Sequence, residues 1–170
     1  MLQLIAPDAA WRDAWREAHA EWGPGQHEDG FGLLLADDVG TRDGFDAWVC
    51  RLAADPRCTY QWIVEDGRVL GGIALRHEDH PGVPLAGHLG YGIRPSVRRR
   101  GMAVWAVKAM LSEAYMLQIP RILAVYEAGN LGSIRTLEAA GGVLEQSDDA
   151  GRVCRYWLSA SPARESPGPD

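Results

Sequence analysis

"RPSVRRRGMAVWAVKAML", residues 94–111, decides how the rest of the chain is read. A proline and a short polar turn lead through three adjacent arginines and one glycine into a long apolar stretch of helical character. The start of a helix is the positive end of its dipole and disfavours Arg98, Arg99 and Arg100. Its first-turn N–H groups also lack partners inside the helix. An anion seated there resolves both problems, because it accepts the free N–H groups and offsets the repulsion among the arginines. Gly101 omits a side chain where a ligand must approach the backbone. Charge-assisted bonds from the arginines would each add about 1.5–3 kcal/mol. A pyrophosphate matches this turn. Taken alone, the turn also reads as a solvated basic helix start or a nucleic-acid patch.

Outward from this turn the pattern alternates. Upstream, "HLGYGIRP" (88–95) reads as a strand, preceded by the loop "EDHPGVPLAG" (78–87). Before that loop, "TYQWIVED" (59–66) and "RVLGGIALRH" (68–77) form a hairpin about Asp66-Gly67. A helix is predicted over about 42–54, stopped by Asp55-Pro56. "LQLIA" (2–6) is a first strand, and Asp8 can cap a helix whose Trp11, Trp15, Ala18 and Trp22 form a core-facing stripe. The glycine-rich segment 23–32 is a loop in a position to shape a substrate pocket. Downstream, a helix over about 101–117 ends before Pro120, followed by the strand "RILAVY" (121–126). A helix over 130–142 then ends on glycine. A last hairpin turns about Asp149-Ala150-Gly151, and the tail has a disordered composition. The fold class is α+β, with mixed element order that is neither doubly wound nor a sandwich. One domain over 1–158 and a tail over 159–170 are expected.

Composition bounds the function. The 170 residues carry a formal net charge of -6, and 46% are apolar, enough for one domain with a real core. The acidic balance argues against a general nucleic-acid partner. Cys50, Cys58 and Cys154 show neither metal-ligand spacing nor an even count, so no metal site or disulfide framework is expected, and a reducing cytoplasm fits. Lys108 and Glu113 interrupt the longest apolar run, so no membrane span is expected.

The stretch "GHLGYGIRPSVRRRGMA" resembles the acetyl-CoA-binding motif of the GNAT superfamily of N-acetyltransferases, Arg/Gln-x-x-Gly-x-Gly/Ala after a strand ending in proline. Arg98, Gly101 and Ala103 match it, with Pro95 upstream. A second motif of that family, Asn-x-x-Ser/Ala entering a helix that ends in glycine, is matched by Asn130, Ser133 and Gly141. The resemblance implies a GNAT-like three-layer fold: a strongly twisted mixed β-sheet, flanked by helices, that splays beside Ile93. It implies acetyl-CoA as co-substrate, with no metal. The backbone of Ile93 would pair with the pantetheine arm, and the amides of Arg99, Arg100, Gly101, Met102 and Ala103 would hold the pyrophosphate. The Arg98 and Arg100 side chains would lie alongside. Asn130 and Ser133 would contact the cofactor, although Asn130 also reads as a helix cap. A homodimer is expected, since homodimerisation is common in that family.

Acetyl transfer needs a neutral amine, so something must remove the ammonium proton. His88 opens the strand at the position where many family members carry a glutamate base, and is expected to serve as the base. A hydrogen-bonded core histidine is the competing reading. His77, Glu78, Asp79 and His80 form a second set at a loop edge, which also reads as a solvated turn. Many relatives carry a tyrosine in the second-motif helix that protonates the leaving thiolate; here that position is Leu137, and Gly142 replaces the usual aromatic. The acid is then absent, replaced by Ser133, Tyr126 or a water, or not needed. The expected reaction is transfer to a primary amine of a small molecule by direct attack in a ternary complex. A protein acceptor and a non-catalytic acyl-CoA-binding domain are the alternatives.

Overall fold

The computed structural model describes residues 1–23, 30–147 and 151–162. Residues 24–29 of the expected glycine-rich loop, Asp149 and Ala150 of the last turn, and 163–170 of the tail lie outside the described residues. The elements are β1 (Gln3–Ile5), α1 (Arg12–Ala20), α2 (Arg42–Ala54), β2 (Cys58–Glu65), β3 (Arg68–Arg76), α3 (Val83–Ala86), β4 (Leu89–Ile93), α4 (Met102–Met116), β5 (Arg121–Glu127), α5 (Leu131–Ala139), β6 (Val143–Ser147) and β7 (Val153–Ser159).

Local chemistry accounts for most of these boundaries. Asp8 accepts from the Ala10 amide at 2.8 Å and starts a 3-10 turn, Ala9–Trp11, that feeds α1. Thr41 caps α2 through the Gly44 amide at 3.1 Å. Asp66 and Gly67 both have positive φ, 49° and 76°, which suits the right-handed twist of the β2–β3 hairpin. The loop 78–87 holds one unexpected element, the single-turn α3.

The strands form two antiparallel sheets, ordered β1-β2-β3-β4 and β5-β7-β6, rather than one continuous mixed sheet. β4 and β5 are the facing edges. They meet where the His88 amide donates to the Leu123 carbonyl at 2.6 Å and Gly87 bridges Ala124. Gly87 sits at φ 72°, and a Cβ there would stand 2.5 Å from the Leu123 carbonyl oxygen, so this crossing needs glycine. Beyond it, β4 keeps a main-chain partner only in β3, among the described residues.

Three layers follow. On one face of the first sheet, α1 and α2 bury Trp15, Phe45 and Trp48 against Trp62, Val64 and Val69. Trp48 and Trp62 stack at 5.8 Å, and Trp15 and Phe45 meet edge to face. On the other face, Ile63, Ile73, Leu89 and Tyr91 pack with Ala106, Val107 and Met110 of α4 and with Leu137 of α5. No helix among the described residues is long and apolar enough to cross a membrane.

Arg94 ties the layers together at the end of β4. It is 2% exposed, and its guanidinium donates to Glu21 and to Glu17 (2.8 Å) near the end of α1 and to the Val69 carbonyl (3.2 Å). Glu21 in turn accepts from the Ser96 amide at 3.0 Å. One carboxylate therefore fixes both the strand end and the start of the arginine turn.

Candidate functional site

The register of β4 on β3 shows which backbone groups face outward. Arg94 donates to the Leu70 carbonyl and the Arg76 amide to the His88 carbonyl, flanking the pairs Gly71–Ile93 and Leu75–Leu89. In an antiparallel ladder such pairs are the non-hydrogen-bonded ones. The N–H and C=O groups of Leu89, Tyr91 and Ile93 accordingly point to the open edge. The Ile93 carbonyl receives Arg98 Nε at 2.8 Å, which joins the strand end to the turn.

The turn itself carries two left-handed residues, Arg99 (φ 64°) and Gly101 (φ 75°). Positive φ at a bulky residue is strained and persists only where the surroundings enforce it. Gly101 is the N-cap of α4 and offers no side chain, and no acidic residue occupies the first turn. The first helical bond runs from the Trp105 amide to the Gly101 carbonyl. The amides of Met102, Ala103 and Val104 are thus left without partners inside the helix. A concave run of N–H groups at a dipole's positive end, rimmed by three arginines, is an anion site in its donor set.

A cleft of about 600 Å³ lies beside this turn, within the range of small-molecule sites. Its lining includes every residue expected to hold the cofactor: Ile93, Arg98, Arg99, Arg100, Gly101, Met102, Ala103, Asn130 and Ser133. Asn130 caps α5, accepting from the Ser133 amide at 3.1 Å through Oδ1. Its amide N–H groups remain as donors, so capping and ligand contact are compatible.

The expected catalytic groups divide. Ser133 lines the cleft, whereas His88 and Tyr126 do not. Tyr126 is 8% exposed and donates to the Leu89 carbonyl at 3.3 Å across the β4–β5 junction. His88 is 4% exposed, and its Nδ1 accepts from the Leu123 amide at 2.9 Å. A backbone amide can only donate, so the neutral ring carries its proton on Nε2 and its one lone pair is already used. This corrects the expectation of His88 as base: it is the hydrogen-bonded core histidine, placed to stitch two sheet edges. The second set is also locally occupied. His77 bonds Thr59 (3.0 Å) and the Pro56 carbonyl (3.1 Å), and His80 accepts from the Gly82 amide (3.0 Å).

Burial holds the pKa of His88 below its usual value, partly countered by the charge of Glu78. A depressed histidine stabilises the fold above the unfolded value near 6.5 and loses that contribution as pH falls through the folded value. Unfolding free energy should therefore drop below about pH 6.5. In His88→Gln, whose carboxamide oxygen can accept the same amide, the slope should be shallower by up to about 1.4 kcal/mol per pH unit. His80 is depressed too, mainly by burial, but contributes equally to both proteins. Denaturant melts across pH 5–8 read the difference, and identical slopes would return His88 to an exposed or titrating role.

Sequence reasoning missed Tyr91, Trp22, Arg135 and Thr136 among the lining residues. Tyr91 was findable, since it lies two residues from Ile93 and strand alternation puts both on one face. Trp22 reads in sequence as part of the core stripe; it does pack edge to face on Phe31 at 5.6 Å while lining the cleft.

Comparison with known proteins adds an independent finding. Residues 6–143 match the family model described as an acetyltransferase (GNAT) domain. No curated protein matches the chain by sequence. Among solved structures, the ribosomal-protein-S5-alanine acetyltransferase from Vibrio fischeri is 19% identical, with a TM-score of 0.67 over 94% of this chain and 93% of that one. The spermidine N-acetyltransferase from Vibrio cholerae, in complex with CoA and spermine, is 15% identical, with a TM-score of 0.66 over 94% and 95%. A ribosomal L7/L12 alpha-N-protein acetyltransferase in complex with coenzyme A is 16% identical, with a TM-score of 0.70 over 93% of each chain. At these identities the likeness is one of fold.

Proposed function

Because this chain belongs to the GNAT acetyltransferase family, we propose that it transfers an acetyl group from acetyl-CoA to a primary amine of a small molecule, by direct attack in a ternary complex. The observation that carries the reading is the cleft in which the open edge at Ile93 meets the amide-lined, arginine-rimmed turn 98–103. An extended amide-bearing chain ending in a diphosphate matches that pairing: an edge strand offers bonds to such a chain, and the helix start offers them to its phosphates. Acetyl-CoA supplies an acyl carbon activated as a thioester.

The protein's own groups then have separate tasks. The Ile93 edge aligns the arm. The amides from Arg99 to Ala103 hold the diphosphate, with the Arg98 terminal nitrogens and Arg100 alongside. Asn130 and Ser133 close the opposite wall from α5. Holding the reacting groups in one cleft removes much of the entropic barrier to attack. The amine attacks as the free base.

The test is acetyl-CoA-dependent release of free thiol with a panel containing spermidine, simple primary amines and short peptides with a free α-amino group. Turnover with small amines supports the proposal. Turnover confined to the peptides would shift it to a protein acceptor, the kind of substrate named for two of the structural neighbours. Coenzyme-dependent thermal stabilisation without turnover on any amine would leave a non-catalytic acyl-CoA-binding domain.

A further inference from the structure

Four hydroxyl groups, those of Tyr91, Tyr126, Ser133 and Thr136, lie where β4, β5 and α5 meet. The Tyr91 hydroxyl donates to the Ser133 carbonyl at 3.2 Å, inside the helix that lacks the family's tyrosine. Its ring packs on Tyr126 at 5.5 Å. Ser133 and Thr136 stand beside it on α5, and Thr136 is held by the Gly132 carbonyl at 2.9 Å. Tyr91 is 7% exposed yet lines the cleft, as Ser133 and Thr136 do.

Two geometric points bear on where this phenol stands relative to an arm bound in the cleft. In an α-helix the carbonyl of residue 133 is the acceptor for the amide of residue 137. Tyr91 therefore reaches the turn of α5 on which Leu137, fully buried in the core, stands in place of a phenol. Along β4, Tyr91 and Ile93 are two residues apart, about 6.6–6.8 Å, with side chains on one face and backbone groups on the open edge. An arm that starts at the turn 98–103 and pairs with Ile93 runs its far end past Tyr91.

We infer that Tyr91 is the proton donor to the departing thiolate, a phenol supplied by β4 in place of the one missing from α5. The inference rests on the acetyl-transfer reading above. In the step, a C–N bond forms between the amine and the acyl carbon. The C–S bond breaks with its electron pair on sulfur, and the Tyr91 proton moves to that sulfur. The proton released by the nitrogen returns to the phenolate, directly or through Ser133 or Thr136, so Tyr91 begins and ends neutral. Burial pushes the Tyr91 hydroxyl up to about 12, so it remains a donor throughout the working pH range.

The test has one reading without turnover. Coenzyme A carries a free thiol, ordinarily titrating near pH 8.5, which a neutral phenol favours in its thiolate form. Calorimetric affinities for coenzyme A and for acetyl-CoA are measured at pH 6.5 and 9.5 on the full chain and on Tyr91→Phe. Among the described residues, the titratable group packed on Tyr91 is Tyr126 of β5, and the arginines Arg98, Arg99, Arg100 and Arg135 line the same cleft. On raising the pH, coenzyme A should gain several-fold more affinity for the wild type than for the variant. Acetyl-CoA, with no thiol to ionise, should show no such difference. In the thiol-release assay the variant should lose about 10- to 100-fold in kcat with the acetyl-CoA KM unchanged. Equal pH responses in the two proteins, or an unchanged kcat, overturn the role of Tyr91 and leave the acetyl-transfer reading standing. Failure of either coenzyme to bind the wild type overturns both. Because Tyr91→Phe removes only a hydroxyl, matching thermal melts confirm that folding is not the cause.

Discussion

Arg94→Met is expected to lower the unfolding free energy by about 3 kcal/mol, the lower end of the cost of removing one partner from a buried ion pair. The lower end applies because the Glu21 side chain keeps 26% of its exposure and can rehydrate in part. Methionine retains the apolar stem, so the loss isolates the guanidinium and its bond to the Val69 carbonyl. The double variant Arg94→Met/Glu21→Met should recover most of the deficit, since the one carboxylate that still loses Arg94, Glu17, is 61% exposed and stays hydrated. Acid melts give a second reading. The bonds from Arg94 and Ser96 hold the Glu21 carboxyl down to about 2, burial opposing. A depressed carboxylate stabilises the fold above its unfolded value near 4.5 and loses that contribution as pH falls through the folded one. The wild type should weaken between about pH 4.5 and 2, and Arg94→Met should show little of this limb. Urea titrations of the three proteins at pH 7 and pH 3 would read both effects. A single variant as stable as the wild type would show that α1 does not brace the end of β4.

That bracing bears on what was legible in sequence. The arginine turn could be read because its meaning is local: a proline, a glycine and a helix start fix the donor set within ten residues. The Asp66-Gly67 hairpin and the Asn130 cap were local in the same sense, and both elements lie where expected. The partners of Arg94 were not legible, because Glu17 and Glu21 lie more than seventy residues away and charge spacing along the chain says nothing about them. His88 failed for a related reason. Its residue type and strand position suit a base, but only the approach of β5 shows that its lone pair accepts the Leu123 amide. The parting of the sheets beside Ile93 came only with the family resemblance, since neither β4 nor β5 announces it in its composition. Tyr91 was missed on weaker grounds: alternation already placed it beside Ile93, and the gap at Leu137 already asked for a phenol from elsewhere.

Coenzyme A should bind the double variant Arg99→Glu/Arg100→Glu about 10²–10³-fold more weakly than the wild type. Two charge-assisted bonds at about 1.5–2 kcal/mol each give that factor; the lower part of the usual range applies because both side chains are exposed and screened. Folding should be unaffected. Arg100 reaches Glu65 only at 4.0 Å, a surface pair worth little, and glutamate at 99 keeps the same Cβ and hence the same positive-φ strain. The mutated charges sit at a helix start whose dipole disfavours cations. Removing them should leave the thermal midpoint unchanged or slightly raised, because the acidic replacements suit that dipole. This opposition makes the experiment decisive: an arginine kept for the fold would lower stability when reversed, whereas one kept for an anionic ligand lowers only affinity. The salt dependence of binding, measured by calorimetry between 50 and 300 mM NaCl (about 14 to 6 Å of screening length), should also flatten in the variant, since fewer charges meet the phosphates. Unaltered affinity together with lost stability would mean that the three arginines serve the turn's structure, and that the diphosphate lies elsewhere.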